Sequence, residues 1–178
     1  MPKPVFRHES LLDIARQTMF LHEVAHPRIH FTLEHDDPAP TLVCDRRQLG
    51  QALTNVVKNA VEAVEASDRV DAAITMRLAG NDHRVTISVA DTGVGLPAER
   101  ERIVEPYMTT RARGTGLGLA IVKKIVEEHG GSLILTDAPA RDGGLRRCGF
   151  ALFGHHSPAT PASSSPRLSA SFVTSSTA

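Results

Sequence analysis

Residues 105–131 read EPYMTTRARGTGLGLAIVKKIVEEHGG, and this stretch decides how the rest of the chain is read. A polar loop carrying Thr109, Thr110, Arg111 and Arg113 runs into Gly114, Gly116 and Gly118. Leu117, Ala120, Ile121, Ile125 and Val126 then recur at helical spacing. Glycines at a helix start let the backbone approach a ligand closely. The free N–H groups of the first turn, at the positive end of the helix dipole, favour an anion such as a phosphate. A Gly-x-Gly-x-Gly run is also an ordinary flexible turn, so the nucleotide hypothesis needs support from other parts of the chain.

Outward from this stretch, the chain alternates helical and strand periods. Residues 1–6 are a Pro-containing lead-in. Ser10 is placed to cap a helix with Asp13 three residues on, and Leu11, Leu12, Ile14, Ala15, Thr18, Met19 and Val24 form its apolar stripe, ending near Ala25 or His26 before Pro27. Ile29, Phe31 and Leu33 alternate as in a half-buried strand, and after a turn over 36–40 residues 41–44 form a second short strand. Asp45 opens a helix running to about Ala66, with Leu49, Ala52, Leu53, Val56, Val57, Ala60, Val61 and Val64 on its apolar side. Strands over 73–78 and 84–90 follow, joined as a hairpin by Gly80, Asn81 and Asp82. A short helix is expected over 98–104, a strand over 132–136 and a last strand over 149–153. The chain from 155 to 178 is nearly all Ser, Thr, Ala, Pro and His, a composition that stays disordered because it buries too little apolar surface.

Composition narrows the function classes. The 178 residues suffice for one domain with a core, and 41% are hydrophobic with a formal net charge of zero, so nothing argues for a nucleic-acid partner. Only 4% are aromatic and there is no Trp, which removes stacking platforms for single strands. Cys44 and Cys148 stand far apart and read as reduced thiols of a cytoplasmic protein. No apolar run approaches the roughly 18 residues of a membrane span, so no membrane contact is expected within this chain.

Two further polar features can join the glycine-rich loop around one ligand. Asn55 and Asn59 stand four apart on the 45–66 helix, an unfavourable residue type in mid-helix, followed by Glu62. An amide oxygen of Asn59 is a hard donor of the kind magnesium takes. Asp91-Thr92-Gly93-Val94-Gly95 follows a buried-looking strand, and a carboxylate there suits the exocyclic amine of adenine, which donates. Each feature also has an ordinary reading: polar residues at the edge of an apolar stripe, an Asp-Gly turn, a solvated basic loop.

Taken in order, Asn-x-x-x-Asn-Ala, Asp-x-Gly-x-Gly, Glu-Pro-Tyr-x-Thr-Thr and Gly-Thr-Gly-Leu-Gly-Leu-Ala-Ile-Val-Lys-Lys-Ile resemble the catalytic ATP-binding domain of sensor histidine kinases. That domain is part of the GHKL group with gyrase B, Hsp90 and MutL, and the wording here is most similar to the nitrogen-regulation kinases of the NtrY and NtrB type. The likeness covers roughly residues 8–153. It implies an α/β (α+β) two-layer sandwich of the Bergerat type, a mixed, mostly antiparallel sheet against three helices. It also implies a lead-in over 1–9 from a dimerisation domain, a catalytic domain over 10–154 and a tail over 155–178.

Residue by residue, the resemblance implies Asn55 and Asn59 as the N box, with Asn59 the magnesium ligand, and Asp91, Gly93 and Gly95 as the adenine-binding glycine box. Tyr107 stands where Phe is usual. Gly114, Thr115, Gly116, Leu117 and Gly118 match the phosphate-binding box, and residues 96–113, with Thr109, Thr110 and Arg111, match the ATP lid. The implied cofactors are ATP and Mg2+, and the implied partners are a histidine-bearing dimerisation domain and a response regulator in a two-component phosphorelay. Members of the NtrY type are usually membrane-anchored upstream of this domain, so the resemblance implies a parent anchored in the inner membrane. Asn55 stands where the ATP-hydrolysing relatives carry a Glu base, which implies little hydrolysis. A serine-directed GHKL kinase and a nucleotide-binding module without transfer are the rival readings, and residues 145–154 depart from the family's last strand.

His22-Glu23-Val24-Ala25-His26 also matches the H-E-x-x-H zinc signature, but Pro27 follows at once where that motif needs a continuous helix. The same run imitates the phospho-acceptor box of the kinases. Too few residues separate His22 from Asn55 for the second helix of an acceptor hairpin, so the acceptor histidine is expected on another segment.

Overall fold

The computed structural model describes residues 3–67, 69–81, 84–95, 117–138 and 147–154. Among these residues three helices and a five-stranded mixed sheet enclose one core, with a two-stranded antiparallel pair beside them. The pair joins β1 (Arg7–Ser10) to β3 (Thr41–Cys44), with Arg7 opposite Cys44 and Ser10 opposite Thr41. In the large sheet the order is β2 (His30–His35), β4 (Ala73–Asn81), β5 (Arg84–Asp91), β7 (Arg147–Gly154) and β6 (Ser132–Ala138). Among the described residues only the β2–β4 pairing is parallel.

The helices form where their caps and stripes predict. In α1 (Leu11–Ala25) the Ser10 hydroxyl accepts from the Asp13 N–H at 3.3 Å, and Leu11, Ile14, Ala15, Thr18 and Met19 are buried. Val24, expected on that stripe, is instead 67% exposed together with Phe20 and Leu21. It stands one turn after Phe20, off the face that carries Leu11, Ile14, Ala15, Thr18 and Met19, and so points to solvent. In α2 (Arg46–Glu65) Asp45 caps through Oδ1, accepting from the N–H groups of Arg47 and Gln48 at 2.9 and 3.0 Å. Its ten buried side chains run from Gln48 to Val64, which makes α2 the central helix of the layer. The third helix, α3 (Gly118–Glu128), buries Val122, Ile125 and Val126.

Along β5 the buried side chains Val85, Ile87, Val89 and Asp91 alternate with less buried ones, so Asp91 continues the core-facing row to the strand end. The hairpin from β4 to β5 is tighter than expected, because Gly80 and Asn81 are still paired, with Val85 and Arg84. One strand was not expected, and the last strand, expected over 149–153, is longer. Arg7–Ser10 has no apolar alternation and is held by pairing with β3. Arg147–Gly154 carries Cys148 and Gly149, yet it lies between β5 and β6 and pairs with both. The helix expected over 98–104 and the tail 155–178 lie outside the described residues. No helix among the described residues is long and apolar enough to cross a membrane.

Candidate functional site

Helix α2 is the wall of the site. Asn55 and Asn59 are half-buried, one turn apart, at the border of its apolar face, and the buried Ala63 follows one turn later. Two glycines from separate parts of the chain, Gly118 and Gly93, come down on this strip. At its start, the first residue of α3 stands over the two asparagines: a Cβ placed on Gly118 would lie 3.8 Å from Asn59 Oδ1 and 3.9 Å from Asn55 Oδ1. Further along, Val94 donates its N–H to the Ala63 carbonyl at 3.2 Å. A Cβ on Gly93 would come within 2.5 Å of the Ala63 carbonyl carbon, so only glycine fits there. From Asn55 to Ala63 is eight residues, about 12 Å along the helix.

The loop after β5 is held in place by its own polar groups. Asp91, 1% exposed, accepts the Gly93 N–H on Oδ1 at 2.8 Å. Thr92 donates its N–H to the Ala73 carbonyl at 3.1 Å, and its hydroxyl accepts the Ala73 N–H at 3.0 Å, which ties the loop to the start of β4. Gly95 then turns the chain with φ of 85°, in the left-handed region that favours glycine. The result is a buried carboxylate at a strand end, clamped against α2. Thr92 was not among the expected site residues; its place beside Asp91 was the available signal.

At the other seat, among the described residues no side chain caps α3: Leu117 occupies the cap position without a side-chain hydrogen bond. The first intrahelical bond from this turn is Ile121 N–H to the Leu117 carbonyl, so the N–H groups before it point out of the helix end. Hard amide oxygens, an uncapped helix N-terminus and a buried carboxylate therefore lie along one strip of one helix. These groups fit an Mg-nucleotide: hard oxygen donors suit magnesium, the helix end suits a phosphate, and the carboxylate suits an amine donor.

Of the expected site residues, the structure brings together Asn55, Asn59, Asp91, Gly93, Gly95, Leu117 and Gly118. Tyr107, Thr109, Thr110, Arg111, Gly114, Thr115 and Gly116 lie outside the described residues. The H-E-x-x-H run lies at the end of α1, remote in kind from a metal centre. The His22 and His26 rings stack with centroids 6.2 Å apart, and His26 Nδ1 meets Glu65 Oε1 at 3.2 Å. Burial, then the neighbouring His26, pushes the His22 pKa down. Among the described residues no group of three or more His, Cys, Asp or Glu side chains is placed to hold a metal ion.

Residues 44–152 match the family model described as histidine kinase-, DNA gyrase B-, and HSP90-like ATPase. The nitrogen regulation protein NtrY of Azorhizobium caulinodans is 50% identical over 143 residues, which is 78% of this chain and 18% of that protein. The chain thus spans about a fifth of the length of this relative. Among solved structures, the nucleotide-free catalytic domain of the histidine kinase ThkA superposes with a TM-score of 0.72 at 29% identity, covering 86% of this chain and 99% of that one. ThkA in complex with the response regulator protein TrrA gives 0.68 at 26% identity, over 86% of this chain and 42% of that one. Full-length ShkA in complex with AMPPNP gives 0.69 at 28% identity, over 88% of this chain and 32% of that one.

Proposed function

The chain belongs to the histidine kinase-, DNA gyrase B- and HSP90-like ATPase family, as a histidine kinase catalytic domain, and from that premise we propose that it binds Mg-ATP and presents the γ-phosphoryl group to a histidine of a separate dimerisation domain. The observation that carries the reading is the strip Asn55–Asn59–Ala63 on α2, onto which both glycines descend. The Asp91 carboxylate, oriented by the Gly93 N–H, accepts from the adenine amine. The first turn of α3 faces the phosphates with its free N–H groups, and Asn59 offers its amide oxygen for the metal, beside Asn55. Magnesium, when bound, neutralises charge on the terminal phosphates.

Transfer of a phosphoryl group asks mainly for positioning and charge neutralisation, so the domain needs no nucleophile of its own. Arg111, which the family resemblance assigns to the lid, would supply positive charge for the γ-phosphate. Asn55 is an amide, which takes no proton at neutral pH, so it supplies no base for water, little hydrolysis is expected and the phosphoryl group is kept for the acceptor. The acceptor is a histidine on a dimerisation domain, and the phosphoryl group then passes to a response regulator. Support for that partner comes from the complex of the similar kinase ThkA with TrrA, and support for the nucleotide from ShkA with AMPPNP, an ATP analogue. The domain works in the cytoplasm, where ATP is supplied.

Calorimetric titration with Mg-ATP tests the site. Mixing the chain with a histidine-bearing dimerisation domain and radiolabelled ATP tests the transfer. The expected product is a phosphoprotein labile in acid and stable in base. Binding without any label on the partner would leave a nucleotide-binding module.

A further inference from the structure

His129 sits directly after α3 and is 5% exposed. Its Nδ1–H donates to the Ile125 carbonyl at 2.8 Å, and its Nε2 accepts the backbone N–H of Asp45 at 3.0 Å. The tautomer follows from the second contact, because a backbone N–H only donates. Asp45 is the cap of α2, and its Oδ2 accepts the N–H of Val5 at 2.8 Å. Phe6 completes the group, its ring edge-on to His129 with centroids 5.0 Å apart. Three distant parts of the chain therefore meet at one junction: the lead-in, the N-terminus of α2 and the C-terminus of α3.

The two helices joined there are the two that build the nucleotide site. α3 runs 11 residues from Gly118 to Glu128, about 16 Å, so a movement at its His129 end displaces its Gly118 end against Asn55 and Asn59 as a rod would. The lead-in contact is only partly covered: Phe6 is 43% exposed and Val5 60%. It can be released without opening the core, in which neither residue takes part. The β1–β3 pairing, beginning at Arg7, holds the chain beyond it.

We propose that His129 is a positioning residue for the nucleotide site, and that the lead-in acts on that site through Phe6 and Val5, strengthening Mg-ATP binding while docked and weakening it when displaced. This rests on the nucleotide reading above and adds to it a route by which a segment upstream of the domain controls affinity.

The test compares the whole chain with Phe6→Ala, His129→Leu, His129→Gln and the double variant Phe6→Ala/His129→Leu, by Mg-ATP calorimetry, thermal melting and nuclear magnetic resonance of the side-chain amides. Phe6→Ala is expected to keep a cooperative melt, to weaken Mg-ATP binding at least threefold, and to shift the Asn55 and Asn59 amide signals in the absence of nucleotide. His129→Leu, which offers Asp45 no acceptor, weakens binding at least as much, and adding Phe6→Ala to it weakens binding no further. His129→Gln, whose amide oxygen can take the Asp45 N–H, recovers most of the affinity. If His129→Leu does not fold, Phe6→Ala and His129→Gln decide. Unchanged affinity and unshifted amides in Phe6→Ala would overturn the proposal while the parent chain still binds Mg-ATP. A parent chain that binds no Mg-ATP, with the amides shifted by Phe6→Ala, would instead overturn the nucleotide reading and leave the mechanical link standing.

Discussion

Two glycines rest on the same helix, and they are there for different reasons. At Gly93 the backbone is pressed onto Ala63, and any side chain would collide with its main-chain carbon and oxygen at 2.5 and 2.6 Å. At Gly118 a methyl group would meet only the ends of Asn55 and Asn59, at 3.8–3.9 Å, an ordinary contact distance. Gly93 is demanded by packing: it lets the Asp91 loop lie against α2 and orients the carboxylate. Gly118 is tolerated by packing and leaves space between the uncapped helix end and the two amides, where a phosphate and its metal would sit. One seat of the site is built by contact and the other by clearance.

The sharpest way to break that contrast is Gly93→Ala. The added carbon cannot be relieved by a side-chain rotation, so the loop has to lift from α2, with an expected loss of about 2 to 3 kcal/mol of stability in urea denaturation and loss of nucleotide binding. A stability equal to that of the parent chain would show that the loop is not clamped.

Next come the polar groups of the two seats. Asp91→Asn keeps an oxygen for the Gly93 N–H but halves the acceptor character at the strand end, and Asn59→Ala removes the hard donor. Each is expected to weaken Mg-ATP binding more than tenfold, about 1.4 kcal/mol or more, by calorimetry. Unchanged affinity in both variants would sink the site. Gly118→Ala should do the converse of Gly93→Ala: stability unchanged or raised by less than about 1 kcal/mol, with Mg-ATP binding weakened severalfold as the methyl group takes up clearance. Equal damage to stability from both substitutions would erase the distinction between the seats.

The smallest effect concerns pH. Burial pushes the His129 imidazole below its ordinary 6.5, outweighing the Ile125 carbonyl and the negative charges of Asp45 and Glu128. Its folded form is neutral, so its contribution to stability is fully present above about 6.5 and is lost as pH falls through the lower folded value. Melting temperature should therefore drop below pH 6.5 in the parent chain and drop less in His129→Gln, which has no proton to gain. An identical acid profile in the two proteins would remove His129 from the account.

Much of this was legible in the residues because it rests on local rules. Ser10 and Asp45 each carry a capping oxygen ahead of an apolar stripe, and both helices start one residue later. Alternation in Val85, Ile87 and Val89 marked β5 and put Asp91 at its buried end. Other features gave no local sign. Arg7–Ser10 is a strand only because β3 offers it a partner, and the last strand, expected over 149–153, shows its inner place only between β5 and β6. Val24 was placed on the core stripe of α1, but it falls one turn after the exposed Phe20 and shares its solvent face. The junction of Phe6, Asp45 and His129 was invisible for the same reason: its members are separated by most of the chain, and no spacing rule links them.

By itself, then, the amino-acid order determined the helices, most strands and the chemical character of the site, since caps, periodicities and the choice of Asn, Asp and Gly act within a few residues of themselves. Only the tertiary structure decided that Asn55, Asn59 and Ala63 form the floor on which two glycines land, that one glycine is forced and the other leaves room, and that the lead-in grips both helices through His129. Those are contacts across long sequence separations, set by how α2, α3 and β5 close around one core, and they exist only when the chain is packed.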